Sequence, residues 1–207
     1  GVAVAAGGVS AGFALAALCT VLFLLSLAAL PAVPGVSGRD ESFAEQMADG
    51  LRYTFGHPLL KVLMALHLAS ATLARPFLDF VPALVATLFA GGAAQAAAIT
   101  SSSGLGAVVG GLWLAQRTPQ RTLLPVVLGA MLLLGLVLIA LAWNPWFPLS
   151  LVLAFVAGFC MISRAVAIQT LVQSKAEAAM RGRAVSFYGL ILNAGSIFGA
   201  LLIGFLA

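Results

Sequence analysis

Charge is what this chain has least of. Only 8% of its 207 residues are charged, against about 25% in a soluble domain, so no water-facing surface can be assembled from them. Acidic residues number six and basic residues ten. No basic patch interleaved with aromatics is present, which excludes a nucleic-acid surface. The net charge of +4 therefore speaks of topology. Cys19 and Cys160 both lie in apolar runs without the partners that a disulfide or a metal site needs, and they read as small packing residues. No cofactor is expected. The glycine-rich stretch Gly104–Gly111 has no Lys after it and no strand before it, so it is not a phosphate loop. Gly1 is no initiator Met and no basic region precedes the first apolar run, which excludes a signal peptide. The last apolar run stops uncapped at Ala207, and the chain is expected to be a fragment of a longer protein.

What is present is hydrophobic: 62% of the residues, mean hydropathy +1.13, with 22 glycines. Lipid is the natural solvent for such a chain, and each span needs about 20 apolar residues. The expected fold class is an all-α membrane protein of about six transmembrane helices plus a short amphipathic helix. Residues 1–30 hold the end of a preceding span and a first full helix, broken at Gly7-Gly8. Residues 31–57 are a charged connector containing four of the six acids, Asp40, Glu41, Glu45 and Asp49. Within it Ser42 and Glu45 have capping-box spacing. Phe43, Met47, Leu51 and Phe55 recur every fourth residue, an apolar stripe for the membrane surface or the ends of the spans. Residues 58–207 form the bundle, with spans at about 58–89, 93–115, 123–143, 148–172 and 184–207. Arg75-Pro76 and Pro82 interrupt the first of these, and Gly91-Gly92 turns the chain into the next. Gly106-x-x-x-Gly110 and Gly195-x-x-x-Gly199 have the spacing of close-packed helix faces. Trp143-Asn-Pro-Trp146 reads as an interfacial aromatic belt.

Eight of the ten bases lie in loops 31–57, 116–122 and 173–183 or, as Lys61, at a span's edge. The positive-inside rule places these loops in the cytoplasm, and the alternation then closes without a slip.

Ionisable residues inside spans are functional candidates by default, because each costs several kcal/mol to bury unpaired. Arg164 reads either as an anchor that snorkels to the interface or as a cavity charge that attracts an anion. Arg75 and Asp79 are four apart and can form a clasp, with a proton site as the other reading. His67 is a satisfied core histidine or a group that titrates near neutrality. Asn193 is expected to bond a neighbouring helix or a substrate. Arg117, Arg121, Arg181 and Arg183 are explained by topology alone, with a cytoplasmic gate as the added reading. Gly8-Val-Ser10-Ala-Gly12 matches a nucleophile elbow, but in a helical hydrocarbon run; no enzyme is expected.

In order, these parts resemble the C-terminal half of a major facilitator superfamily transporter, and within it the bacterial siderophore and macrolide exporter branch. The residues that carry the resemblance are Gly50-Leu-Arg-Tyr53 running into His57-Pro-Leu59, Arg75-Pro76 with Pro82, Gly104-Leu-Gly106 with Gly110-Gly111, and Arg181-Gly-Arg-Ala-Val-Ser-Phe-Tyr188. One departure stands at Gln116, where the family's loop signature places an Asp before the basic residue, here Arg117. The resemblance implies half of a facilitator bundle in a bacterial inner membrane, its partners being the lipid bilayer, a small-molecule substrate and the missing N-terminal half. It implies proton-coupled export by alternating access. An accessory membrane protein that binds a secretion partner without transport is the alternative.

Overall fold

The computed structural model describes residues 2–28, 43–73, 77–116, 123–178 and 180–206, all but the connecting turns in helix. The chain divides into two units, Gly1–Glu41 and Ser42–Ala207. The first contains α1 (Val2–Ala28). This helix runs through Gly7-Gly8, where the sequence suggests a break. A glycine pair weakens a helix in water, but in hydrocarbon the helix is what satisfies the backbone hydrogen bonds, so it persists.

The second unit contains α2 (Phe43–Gly56), α3 (Pro58–Leu73), α4 (Phe77–Phe89), α5 (Ala93–Ala115), α6 (Leu123–Ala142), α7 (Phe147–Lys175) and α8 (Arg181–Leu206). Among the described residues five helical stretches are long and apolar enough to cross a membrane, with α3 and α4 together forming one of them, and Gly12–Ala28 of α1 is a further apolar helix. The fold is all-helical, a membrane protein bundle. Pro82 lies inside α4 rather than interrupting it. Residues 74–76 lie outside the described residues, and with them Arg75 and the Arg75-Pro76 break. The same holds for 29–42, which include Ser42 of the capping box.

Helix ends extend beyond the apolar runs. The last span begins at Arg181, not near Ala184, and α7 continues to Lys175, so the charged loop is shorter than the polar sequence suggests. Hydropathy finds where the apolar run stops; the backbone keeps its helix for another turn among charged side chains that reach water.

The core falls into three layers along the bundle. At the end that carries Lys61 and Lys175, the residues Leu60, Leu63, Val127, Ile168, Val172 and Ala184 pack together. Ala130, Leu134, Ala157 and Cys160 form the middle layer, in which Cys160 is a buried free thiol. Val81, Val85, Ile99 and Ala154 form the layer at the other end.

The closest packing is between α5 and α7. A Cβ at Gly106 would strike the carbonyl of Phe155, and one at Gly158 the carbonyl of Ser103. At Gly110 it would lie 2.7 Å from the Phe159 carbonyl oxygen. The glycine pair of α5 thus packs as its spacing suggests, with a reciprocal glycine on α7. Ser102 Oγ donates to Leu151 O (2.7 Å) across the same seam.

Two turns close the end opposite the charged loops. After α4 the left-handed residue is Ala90 (φ 46°), and Gly91 follows where a Cβ would meet Val85 Cγ1 at 2.8 Å. Gln95 Oε1 then accepts from Gly92 N (2.9 Å) at the start of α5. Between α6 and α7, buried Asn144 donates through Nδ2 to Trp146 O and to Ser150 Oγ, both at 2.8 Å, and accepts from Trp146 N through Oδ1. Trp143 and Trp146 project outward, 85% and 64% exposed, as interfacial tryptophans do. Replacing Asn144 with Ala strips the turn of three hydrogen bonds. Thermal unfolding is expected to show a loss of about 1–3 kcal/mol, whereas Trp143→Ala leaves stability nearly unchanged.

Candidate functional site

Three helices bring polar side chains into the interior beside the first core layer. They are α3, α7 and α8. Close contact between α3 and α8 sets the geometry: a Cβ on Gly195 would lie 2.7 Å from Ala71 Cβ, so the absence of that atom lets the two helices approach. One turn before Ala71 on α3 is His67, fully buried, and its imidazole stacks on the Tyr188 ring of α8 (centroids 3.9 Å, interplanar angle 16°). The Tyr188 hydroxyl reaches across to α7 and donates to Ala165 O (3.1 Å). A single tyrosine therefore ties three helices together.

Arg164, the residue before that carbonyl, is 4% exposed. Its Nε and Nη1 are buried without a hydrogen-bond partner, as are both ring nitrogens of His67 and Oγ of Ser70, one turn further along α3. The sequence supplies no acid between Asp79 and Glu177, and none after Glu177. No acidic residue is among the buried residues described. The buried polar groups described on these helices thus include a cation and neutral side chains but no carboxylate. Two open hollows, of about 610 Å3 near Thr87, Gln95 and Phe147 and of about 200 Å3 near Trp113 and Phe159, are lined by neither His67 nor Arg164.

The other candidates fall elsewhere. Asn193 is exposed and donates to Gly189 O of its own helix (2.9 Å), not to a neighbouring one as expected. At i to i−4 spacing the amide finds its acceptor without leaving α8. Asp79 is exposed in the first turn of α4, and its proposed partner Arg75 lies outside the described residues. So do Arg117 and Arg121. His67 is a core histidine, fully buried with its ring stacked on Tyr188. Ser10 lies inside continuous α1, whereas a nucleophile elbow needs a strand-to-helix turn. Among the described residues no cluster of His, Cys, Asp and Glu has the makings of a metal site.

Arg181 and Arg183 part company. Arg181 is exposed at the start of α8. Arg183 is half-buried and pairs through Nη1 with Asp49 Oδ2 of α2 (3.4 Å). Beside it Glu177 N donates to the Tyr53 hydroxyl (3.0 Å), and Phe55 meets Phe187 edge-on (6.2 Å). The connector helix therefore docks on the ends of the spans through Gly50, Tyr53 and Thr54. Of the stripe expected to face the membrane surface or the span ends, Leu51 and Phe55 are 41% and 53% exposed, although Phe55 still touches Phe187. Phe43, Met47 and Glu45 side chains lie outside the described residues. A tight seat against Arg183 selects a glycine, and the apolar stripe of a helix at the bilayer surface has lipid as an alternative medium.

Sequence reasoning missed Tyr188, Tyr53 and Ser70. The signal available was rarity. The chain has two tyrosines, and both make a hydrogen bond to the backbone of another segment. A tyrosine buried in an apolar chain needs a partner for its hydroxyl, and that need marks a helix contact.

Compared with protein-family models, the chain matches the Major Facilitator Superfamily over residues 1–207. No curated protein and no solved structure matches it.

Proposed function

The chain belongs to the Major Facilitator Superfamily of membrane transporters, and from that membership we propose that it is part of a proton-coupled exporter of a small molecule, siderophore or drug-like, in a bacterial inner membrane. The reading divides the chain into the end of a preceding span and a first full span (1–30), a cytoplasmic connector with an amphipathic helix (31–57) and a C-terminal bundle of five spans (58–207). The N-terminal half belongs to the same protein. The two halves rock about a midplane cavity, as alternating access requires.

The observation that carries the reading is the buried, unpartnered polar face of Arg164 and His67 inside an apolar bundle. A scaffold protein gains nothing from leaving a guanidinium unpaired in hydrocarbon, which costs several kcal/mol. A transporter needs such groups where cargo or protons pass. Asp79, the acidic residue placed in a span here, is exposed and is the candidate carboxylate for proton coupling in this part of the chain.

The test is reconstitution of the full-length protein in liposomes, with internal pH followed as siderophores and amphipathic drugs are added. Substrate-dependent proton movement that is lost in Arg164→Ala is the expected result. Proton movement that persists in the mutant keeps the transporter and removes Arg164 from its path. Substrate accumulation without any pH change removes proton coupling, and no flux of either kind favours the accessory protein.

A further inference from the structure

We propose that Arg164, buried on α7 next to the Ala165 carbonyl that Tyr188 bonds, is the receptor for an oxyanion, a carboxylate or phosphate group brought to it from outside this bundle. The inference rests on the transporter reading and gives it a substrate class. Four observations carry it.

The first is that the backbone beside Arg164 is tied to a neighbouring helix. The Tyr188 hydroxyl clamps the adjacent Ala165 carbonyl, and the Tyr188 ring is itself held by the stack on His67. The second is that the guanidinium is unsatisfied: Nε and Nη1 are buried and bond nothing. Nε and Nη1 each belong to a different one of the two edges by which a guanidinium binds a carboxylate or phosphate, so each edge has one donor without a partner. The third is the sign of the surroundings. His67 and Ser70 add buried polar atoms without partners, none of them a carboxylate. No carboxylate is among the buried residues described, so nothing there balances the guanidinium charge.

The fourth removes the anchor reading. Arg164 sits about three turns before the end of α7, and what excludes snorkelling is its burial: Nε and Nη1 do not reach solvent. A group that neither reaches water nor meets an acid in its own bundle needs an anion from elsewhere. Two sources have the required chemistry: an acidic group on the cargo, or a carboxylate of the protein itself.

The two are separable by thermal unfolding of the full-length protein in lipid nanodiscs, at constant ionic strength. The probes are 4-hydroxybenzoate and inorganic phosphate, with 4-hydroxybenzamide as the neutral isostere. If the anion comes from solution, an anionic probe raises the Tm saturably and the amide does not. Arg164→Met then weakens the apparent affinity on the order of a hundredfold, while its own Tm without probe equals or exceeds wild type, because an unpaired buried charge has been removed. Arg164→Lys retains a weaker response. If a carboxylate of the protein is the partner, the probes shift nothing and Arg164→Met lowers the Tm by leaving that carboxylate unpaired. An acid-to-amide change, Asp79→Asn first, then restores it.

Either pattern supports the proposal. It is overturned by a probe shift that survives in Arg164→Met. It is equally overturned when no probe acts and Arg164→Met either leaves the Tm unchanged or lowers it beyond rescue by any acid-to-amide change. Flux measured on the same variants separates this from the transporter reading. Anion binding through Arg164 without flux keeps the site and removes the transport; flux unaffected in Arg164→Met with neither a probe response nor rescue by an acid-to-amide change keeps the transport and removes the site.

Discussion

Gly106→Ala is expected to destabilise the protein by about 3 kcal/mol or more, the upper end of what one added methyl costs a packed interior. The reason is what the methyl meets. It falls on the backbone carbonyl of Phe155, with the carbonyl carbon at 2.7 Å and the Cα at 3.0 Å, and backbone has no rotamer to escape into. The axes of α5 and α7 must separate, which strains the Ser102 bond to Leu151 O and the bond from Ser163 Oγ to Gly110 O. Gly158→Ala strikes the Ser103 carbonyl and forces the same separation. Because one movement relieves both clashes, the double variant should cost clearly less than the sum of the singles. Gly104→Ala, where an added Cβ meets nothing within 4 Å, should be neutral or gain up to about 1 kcal/mol from helix propensity. Unfolding in detergent, read by tryptophan fluorescence, measures all four. A Gly104 variant as damaging as the Gly106 variant would show that the seam is not where the packing energy lies.

That seam was legible before any coordinates, and the reason is physical. Helix packing in lipid leaves a local signature, small residues four apart on one helix, and Gly106 and Gly110 carry it. The spans were legible for a similar reason, since hydrocarbon thickness fixes the length of each apolar run. What could not be read depends on distance through the fold. His67 and Tyr188 lie far apart in sequence, and neither residue's neighbours encode the stack. Arg164 was a candidate by its cost alone; that it is buried with Nε and Nη1 unpartnered is a property of the packed helices together. The docking face of α2 was not legible for another reason. Periodicity reports an apolar stripe, and at a bilayer surface such a stripe has two places to go, so it does not name the face that touches protein. Asn193 misled because an amide in a helix can bond its own carbonyl four residues back as readily as a neighbour's group.

The docking of α2 yields the second large effect. Gly50→Trp is expected to cut transport by the full-length protein about tenfold or more, equivalent to about 1.4 kcal/mol or more on the transport barrier, while membrane insertion is retained. A Cβ at Gly50 would lie 3.2 Å from Arg183 Cβ, with the Arg183 backbone next at 3.8 Å. A methyl there demands a shift of a few tenths of an ångström, so Gly50→Ala should be mild. An indole demands that α2 leave its seat. It would take with it the Tyr53 hydroxyl from Glu177 N, the buried Thr54, and the Asp49–Arg183 pair. The ion pair alone is a weak hold. Asp49 is nearly half exposed (46%), and solvent leaves such a pair worth about 0–1 kcal/mol. Arg183→Gln should therefore lower transport only about twofold, and exposed Arg181→Gln should leave it unchanged. This ranking separates two accounts of the basic cluster. If its charges served only to orient the chain, Arg181 and Arg183 would behave alike and Gly50 would not matter. If α2 is the strap through which the connector holds the ends of α7 and α8, the uncharged glycine matters most. Transport assayed in proteoliposomes at matched protein levels decides between them, and a Gly50→Trp variant with normal flux would show that α2 rides on the bundle without restraining it.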